Sequence, residues 1–458
     1  MNRIWQILTL GNLLLLASAL HGQALETDRW QSAIDRASAQ GGGVVSLPEG
    51  LHLVGQLYLK NGVELHLEDG CILEGAVGLQ HYTVHALPYS EGFWSAVVMG
   101  LGVTNVAISG RGCILGNGAK FERVKAVGLC EEGFRPRGIV FANSRNIRLE
   151  DFTLRDAACW GIVCKCCDGM VARRVRIDSH ANINNDGFDI EAENVLIEDC
   201  DVDSGDDAIC IKSNDPFFTV ENVLVRRCFA RSHCNAFKIG TASHGTIRKI
   251  RIEQCRAGAS RRIYRDVAAM PKDLSRDYVF DGAPTGLCGA GAGALCVECV
   301  DGGRVEDVVI DGVEVGGFKV PIFVRGGCRV GRTCGTPPGS RYVLRNVTIS
   351  NIRGRAEQAF ASSVTGVRKC RPAGVVLRNI DIECVGSGLS ESPIRLPGEE
   401  TAGRYPHATL FRDYRLPAYG LFVDQADDVT VENARFRLRE GTVDDRAPIY
   451  ISKNVGHK

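Results

Sequence analysis

The stretch ENVLIEDC (193–200) returns as ENVLVRRC (221–228) and again as RKIRIEQC (248–255). Behind Asn194, Asn222 or Lys249, apolar residues stand at alternate positions, and each copy closes on a cysteine. Alternation is the period of a strand with one face buried. Looser copies run from TNVAISG (104–110) and RNIRLED (145–151) through GMVARRV (169–175) and EDVVIDG (306–312). They continue as RNVTISN (345–351), RNIDIEC (378–384) and DDVTVEN (427–433). With Asn146, Met170, Asn194, Asn222 and Lys249 as openers, the steps are 24, 24, 28 and 27 residues.

A period in the twenties with one dominant strand per repeat describes a solenoid. Leucine-rich repeats share the period but want regular leucines, whereas these copies favour Val and Ile. The reading is therefore all-β: a single-stranded right-handed parallel β-helix whose turns stack about 4.8 Å apart. Cys200, Cys228 and Cys255 fall at one phase of the repeat. They are expected to stack inside as small hydrophobes rather than pair as disulfides. Ahead of the repeat, TDRWQSAIDRASAQGGGVVSLPEG (27–50) reads as an amphipathic helix, a glycine break and a strand. That helix is expected to cap the first turn, which would otherwise expose strand edges. The period breaks from Arg256 to Ala292, which reads as a long loop over one face.

Composition narrows the classes. A chain 45% hydrophobic with 53 glycines is globular rather than disordered. Lys plus Arg balance Asp plus Glu at 54 each, so no basic stripe points to nucleic acid. The opening MNRIWQILTLGNLLLLASALHGQA (1–24) reads as a secretory signal peptide, leaving 25–458 as one β-helix domain, secreted or periplasmic. No later stretch has the run of apolar residues that a membrane helix needs. CKCC (164–167) lacks a partner pair at zinc spacing, so no metal and no cofactor is expected, and the chain is expected to act as a monomer.

Chemistry concentrates in SGDDAICIKS (204–213), where Asp206 and Asp207 lie 12 and 13 residues after Asn194. One turn on, Cys234 and Asn235 hold the same places after Asn222; one turn back, INNDGFDIE (183–191) brings in Asp186. Three carboxylates on neighbouring turns of one face raise at least one pKa, and split pKa values suit an acid and a base. A solvated Asp-Gly turn and a calcium site are the competing readings.

NNDGFDI followed by SGDDAICIKS resembles glycoside hydrolase family 28, the polygalacturonase family. SGRGCILGNG (109–118), the 137–162 segment and GGGVVSLPEG (41–50) add to the likeness, which spans roughly 25–440. The resemblance implies a right-handed parallel β-helix that cleaves pectic or related glycosides with inversion. It implies Asp206 as general acid, Asp186 and Asp207 as the pair acting on water, and Asn184 as a hydrogen-bonding neighbour. Two motifs depart. Where the family has Gly-His-Gly, SHCNAFKIGT (232–241) offers His233, Asn235 and Lys238 as substrate-binding candidates. Where it has Arg-Ile-Lys, GALCVECVDGG (293–303) puts Leu295 and Glu298 in place of the basic pair. Glu298 would accept bonds from neutral hydroxyls and repel a uronate, while Arg325, or Arg261 and Arg262, would restore positive charge. The expectation is thus a hydrolase with altered sugar specificity. A polysaccharide lyase and a non-catalytic carbohydrate-binding solenoid are the alternatives, because one scaffold hosts many activities.

Overall fold

The computed structural model describes residues 24–121, 135–262, 290–329 and 341–456. Apart from one short antiparallel pair, His85–Ala86 with Phe93–Trp94, the strands join side by side in parallel, each to the strand one turn later, so the chain winds as a parallel β-helix. Three ladders run its length. The first carries the repeat: Val195, Val223, Ile250, Val308, Val347, Val375 and Val429 lie in register on successive turns. Branched side chains pack well on a pleated, half-buried surface, and Val195 through Val375 are all buried. The second ladder lines up Leu154, Ile177, Val202, Ala230 and Ala257, and the third lines up Ile139, Ile162, Phe188, Ile209, Phe237 and Leu295. Their inward rows meet in one apolar core along the coil.

The repeat openers have a backbone reason. Asn105, Asn146, Asn194, Asn222, Lys249, Asp307, Asn346, Asn379 and Asp428 all take positive φ, between 49° and 56°. Asn and Asp tolerate this left-handed region better than other non-glycine residues. The Asn194 amide donates to Asp168 at 2.8 Å, and the Asn222 amide donates to Asn194 at 3.0 Å, which staples successive turns. In one copy the opener differs from the reading. Gly169, with φ of 78°, holds the left-handed place, and Met170 already points into the core.

Cys200, Cys228 and Cys255 stack inside as expected, one per turn and almost fully buried. Each thiol donates to a carbonyl two residues back, at 3.4, 3.4 and 3.2 Å. No disulfide forms among the described cysteines. The helix Thr27–Ala39 buries Trp30 and Ile34. Its Gln31 side chain bonds both the N–H and the carbonyl of Tyr58 on the edge strand Leu57–Tyr58, at 2.8 and 3.0 Å. The loop expected from Arg256 to Ala292 begins on a strand, Arg256–Gly258, paired to the previous turn, and ends inside another, Gly291–Cys299. Residues 263–289 lie outside the described residues, as does the signal segment except Ala24. Among the described residues no helix is long and apolar enough to cross a membrane.

Replacing Asn194 by Val should lower the thermal midpoint by an amount equivalent to about 1–3 kcal/mol, the cost of a branched residue in this backbone region. Asn194→Gly should cost markedly less. Equal loss from both, read by calorimetry, would contradict the role given to the left-handed backbone.

Candidate functional site

The third ladder positions the acids. Strand Phe188–Glu198 alternates Phe188 and Ile190 inward with Asp189 and Glu191 outward, and all four are buried. One turn on, strand Ile209–Ser213 sends Ile209 and Ile211 inward. By the same alternation Cys210 and Lys212 face outward. Asp186 and Asp207 stand just before these strands. The Gly161 N–H donates to the Asp186 carbonyl and the Gly187 N–H donates to the Asp207 carbonyl, both at 2.8 Å, so the two acids occupy one column. Gly187 is needed there, because a Cβ would sit 2.3 Å from the Ala208 carbonyl oxygen.

Each acid has a different environment. Asp207 is buried, which alone would raise its pKa, but Lys238 Nζ at 2.9 Å and the Asn235 amide at 2.6 Å bring it below the usual carboxylate range. Asp206 is only half-buried and keeps a bond from the Asp207 N–H at 2.9 Å. Burial and the neighbouring Asp207 charge push it up to about 6. Asp186 is buried and is raised well above the carboxylate range by burial and by Asp189, Asp206 and Asp207, against the pull of Lys212. The three therefore feel one another's charge and hold their protons at different strengths, as carboxylates at close quarters must.

The ligand atoms of Asp206, Asp207 and Cys234 lie within 4.8 Å of one another, a spacing that can hold a cation. The ammonium of Lys238 already supplies positive charge to Asp207 there.

Asn235 and Lys238 meet the acids, although a solvated lysine is the ordinary expectation for that position. The other candidates part ways. His233 turns to His180, with ring centroids 5.1 Å apart, and to the Arg262 carbonyl at 2.8 Å; burial takes its pKa down to about 4. Asn184 accepts a bond from Arg135 at 3.0 Å and helps fix the turn before Asp186. Arg261 is spent on Asp203, and Arg262 lies 3.9 Å from Asp178. Arg325 is paired in register with Glu298, but its guanidinium is fully buried and bonds Thr365, the Gly366 carbonyl and Thr401. It ties turns together rather than supplying charge to the cleft.

Leu295 and Glu298 do not form an outward pair. Leu295 is a core residue between Phe237 and Ile322, so strand alternation makes Cys296 and Glu298 the outward residues. Glu298 accepts a bond from Thr241 at 2.9 Å, and burial pushes it up to about 7. Thr241 also reaches the Tyr405 hydroxyl at 3.1 Å, which lies 3.4 Å from Lys238 Nζ. A continuous polar chain thus runs from Asp207 to Glu298.

The sequence reading passed over Asp189, Lys212 and the buried pair Lys165–Glu191, whose ammonium and carboxylate lie 2.8 Å apart. Their signal was present, since all four alternate with core residues in GFDIE, AICIK and the preceding turn. Trp94 and Trp160 close around Arg137, and together with Lys165, Asp189, Glu191, Lys212 and Asn214 they line a small cavity. Tyr405 lies outside the repeating period and gave no such signal.

Residues 45–255 match the family model described as glycosyl hydrolases family 28. That is the family which the aspartate motifs resemble. The matched stretch includes Asp186, Asp206 and Asp207 but stops before Glu298. A probable polygalacturonase of Vitis vinifera is 25% identical over 253 residues, 51% of each chain. The chain thus spans about half the length of that curated relative. Two solved structures share the fold. The exopolygalacturonase of Thermotoga maritima aligns over 90% of this chain and 89% of its own, at 18% identity and a TM-score of 0.58. The polygalacturonase of Erwinia carotovora ssp. carotovora aligns over 82% and 93%, at 17% identity and a TM-score of 0.60.

Lys238→Met should cost roughly 3–5 kcal/mol at neutral pH, because it strands Asp207 as a buried unpaired charge. A lowered carboxylate pKa gives stability that is present above the unfolded value, 3.8, and is lost as pH falls through the folded one. The gap between wild type and Lys238→Met in urea unfolding should therefore be wide at pH 7 and narrow at acid pH. A gap that widens toward acid would contradict the pairing.

Proposed function

We propose that the chain is an inverting glycoside hydrolase acting on a pectic or related plant-type glycan. The supporting observation is the contrast between two adjacent acids: Asp206 keeps its proton up to about pH 6, while Asp207 is held ionised beside it. Asp206 would protonate the glycosidic oxygen as general acid. Asp207, with Asp186 beside it in the column, would orient a water and take its proton. Ligand oxygens of Asp206 and Asp207 lie within 4.8 Å of each other, closer than the roughly 6.5–9.5 Å usual for an inverting pair, so inversion is proposed here on the family resemblance and not on that spacing.

The family match and the polygalacturonase relatives support the pectic side of this reading. Substrate choice is proposed to differ from plain homogalacturonan. Lys238 is committed to Asp207 and Arg325 to Thr401, while Glu298 stands outward next to both. A galacturonate carboxylate would meet a carboxyl group there, whereas a neutral hydroxyl would find an acceptor. The coil is taken as right-handed, a single domain over 25–458 capped by the helix Thr27–Ala39, and exported and monomeric.

Asp206→Asn, assayed on a panel of pectic and neutral oligosaccharides, should lose about a hundredfold or more in kcat with its thermal midpoint kept. Wild-type activity should fall as pH rises through about 6, where Asp206 gives up its proton. Full activity of Asp206→Asn would leave a carbohydrate-binding solenoid as the better reading. Unsaturated products, detected by ultraviolet absorbance, would favour a lyase.

A further inference from the structure

Lys212 is a charged side chain that the acid–base roles above leave without a purpose. Its side chain is nine-tenths buried, and its ammonium lies 2.5 Å from Asp189 Oδ1 and 3.7 Å from Asp186 Oδ2. The same ammonium sits 4.2 Å from the centre of the Trp160 ring. Burying a lysine in this way is costly unless the pairing is retained for a purpose or repaid by geometry. Here one cation is shared by two acids, and the second of them, Asp186, belongs to the proposed catalytic column. The other Asp186 oxygen, Oδ1, is buried with no hydrogen-bond partner among the described residues. The acid thus has one oxygen steered by a fixed cation and the other left without a partner inside the buried column.

We propose that Lys212 is the positioning residue for Asp186, its ammonium clamped between Asp189 and the Trp160 ring so that the Asp186 carboxyl is held in place in the catalytic column. The inference rests on the hydrolase reading for its kinetic consequence, but not for its electrostatic one. Lys212 steers Asp186 through charge, Asp189 steers Lys212, and Trp160 removes the ammonium's freedom to move. The charged groups that bear on this couple come from several elements. Asp186 and Asp189 lead into or lie on one strand, Cys210 lies on Lys212's own strand, Asp206 and Asp207 come from the turn before it, and Glu91 reaches in from the hairpin segment between Ala86 and Phe93.

The direct test is the titration of the Asp186 carboxyl in the resting protein by carbon-13 NMR, which needs no substrate. Removing the cation in Lys212→Met should move the Asp186 midpoint up by about one pH unit or more, and Asp189→Asn should move it down. An unmoved midpoint in both variants would overturn the proposal whatever the protein acts on. With an active glycan in hand, Lys212→Met should lower kcat about tenfold or more with KM little changed, and the acid limb of its pH profile should shift upward. Lys212→Arg should recover part of kcat. Because Lys212→Met strands two buried acids, a cost able to unfold the chain, the paired variant Lys212→Met with Asp189→Asn removes both charges together. It should fold like the wild type and still be slow; recovery of wild-type kcat in that pair would show that Lys212 only balances Asp189, and would overturn the positioning role.

Discussion

The turn-to-turn spacing of the coil governs everything that happens at its surface. Parallel strands stacked about 4.8 Å apart place outward residues of equal phase in columns, and the column cannot be stretched without breaking backbone hydrogen bonds. Asp186 and Asp207 are brought together by that constraint, not by any local preference of their own turns. The same constraint delivers Lys212 to Asp189 and Lys238 to Asp207, since each lysine stands one turn beyond the acid it serves. Charge compensation and charge crowding therefore come from one geometric source.

Crowding sets the chemistry. Asp207 has two firm partners and stays ionised, so Asp206 beside it must hold its proton more tightly. A pair with separated affinities is a ready acid and base, and the separation needs no metal to create it. The polar chain from Lys238 through Tyr405 and Thr241 to Glu298 extends the site toward later turns, where this chain departs most from the family's pattern.

Much of the fold was legible because the repeat obeys two simple demands. Alternate Val and Ile must face the core, and a residue tolerant of positive φ must open each strand. Reading Met170 instead of Gly169 as one opener missed the second demand, since glycine meets it without an amide side chain. The acids were legible through phase, and Asn235 followed from the same count. Leu295 was misplaced because the motif was matched by likeness rather than by alternation, which puts Cys296 and Glu298 outward. Arg325 and His233 could not be placed from sequence, for their partners Thr401 and Arg262 lie on segments outside the regular strands. Tyr405 was invisible for the same reason.

The central claim is that acid and base act from opposite sides of one glycosidic bond. Proton NMR of the first product released from an active oligosaccharide, read before mutarotation, tests it most directly. The account predicts an anomer opposite in configuration to the bond cleaved. A product that retains the configuration would mean a covalent route, and would contradict the roles given to Asp186, Asp206 and Asp207.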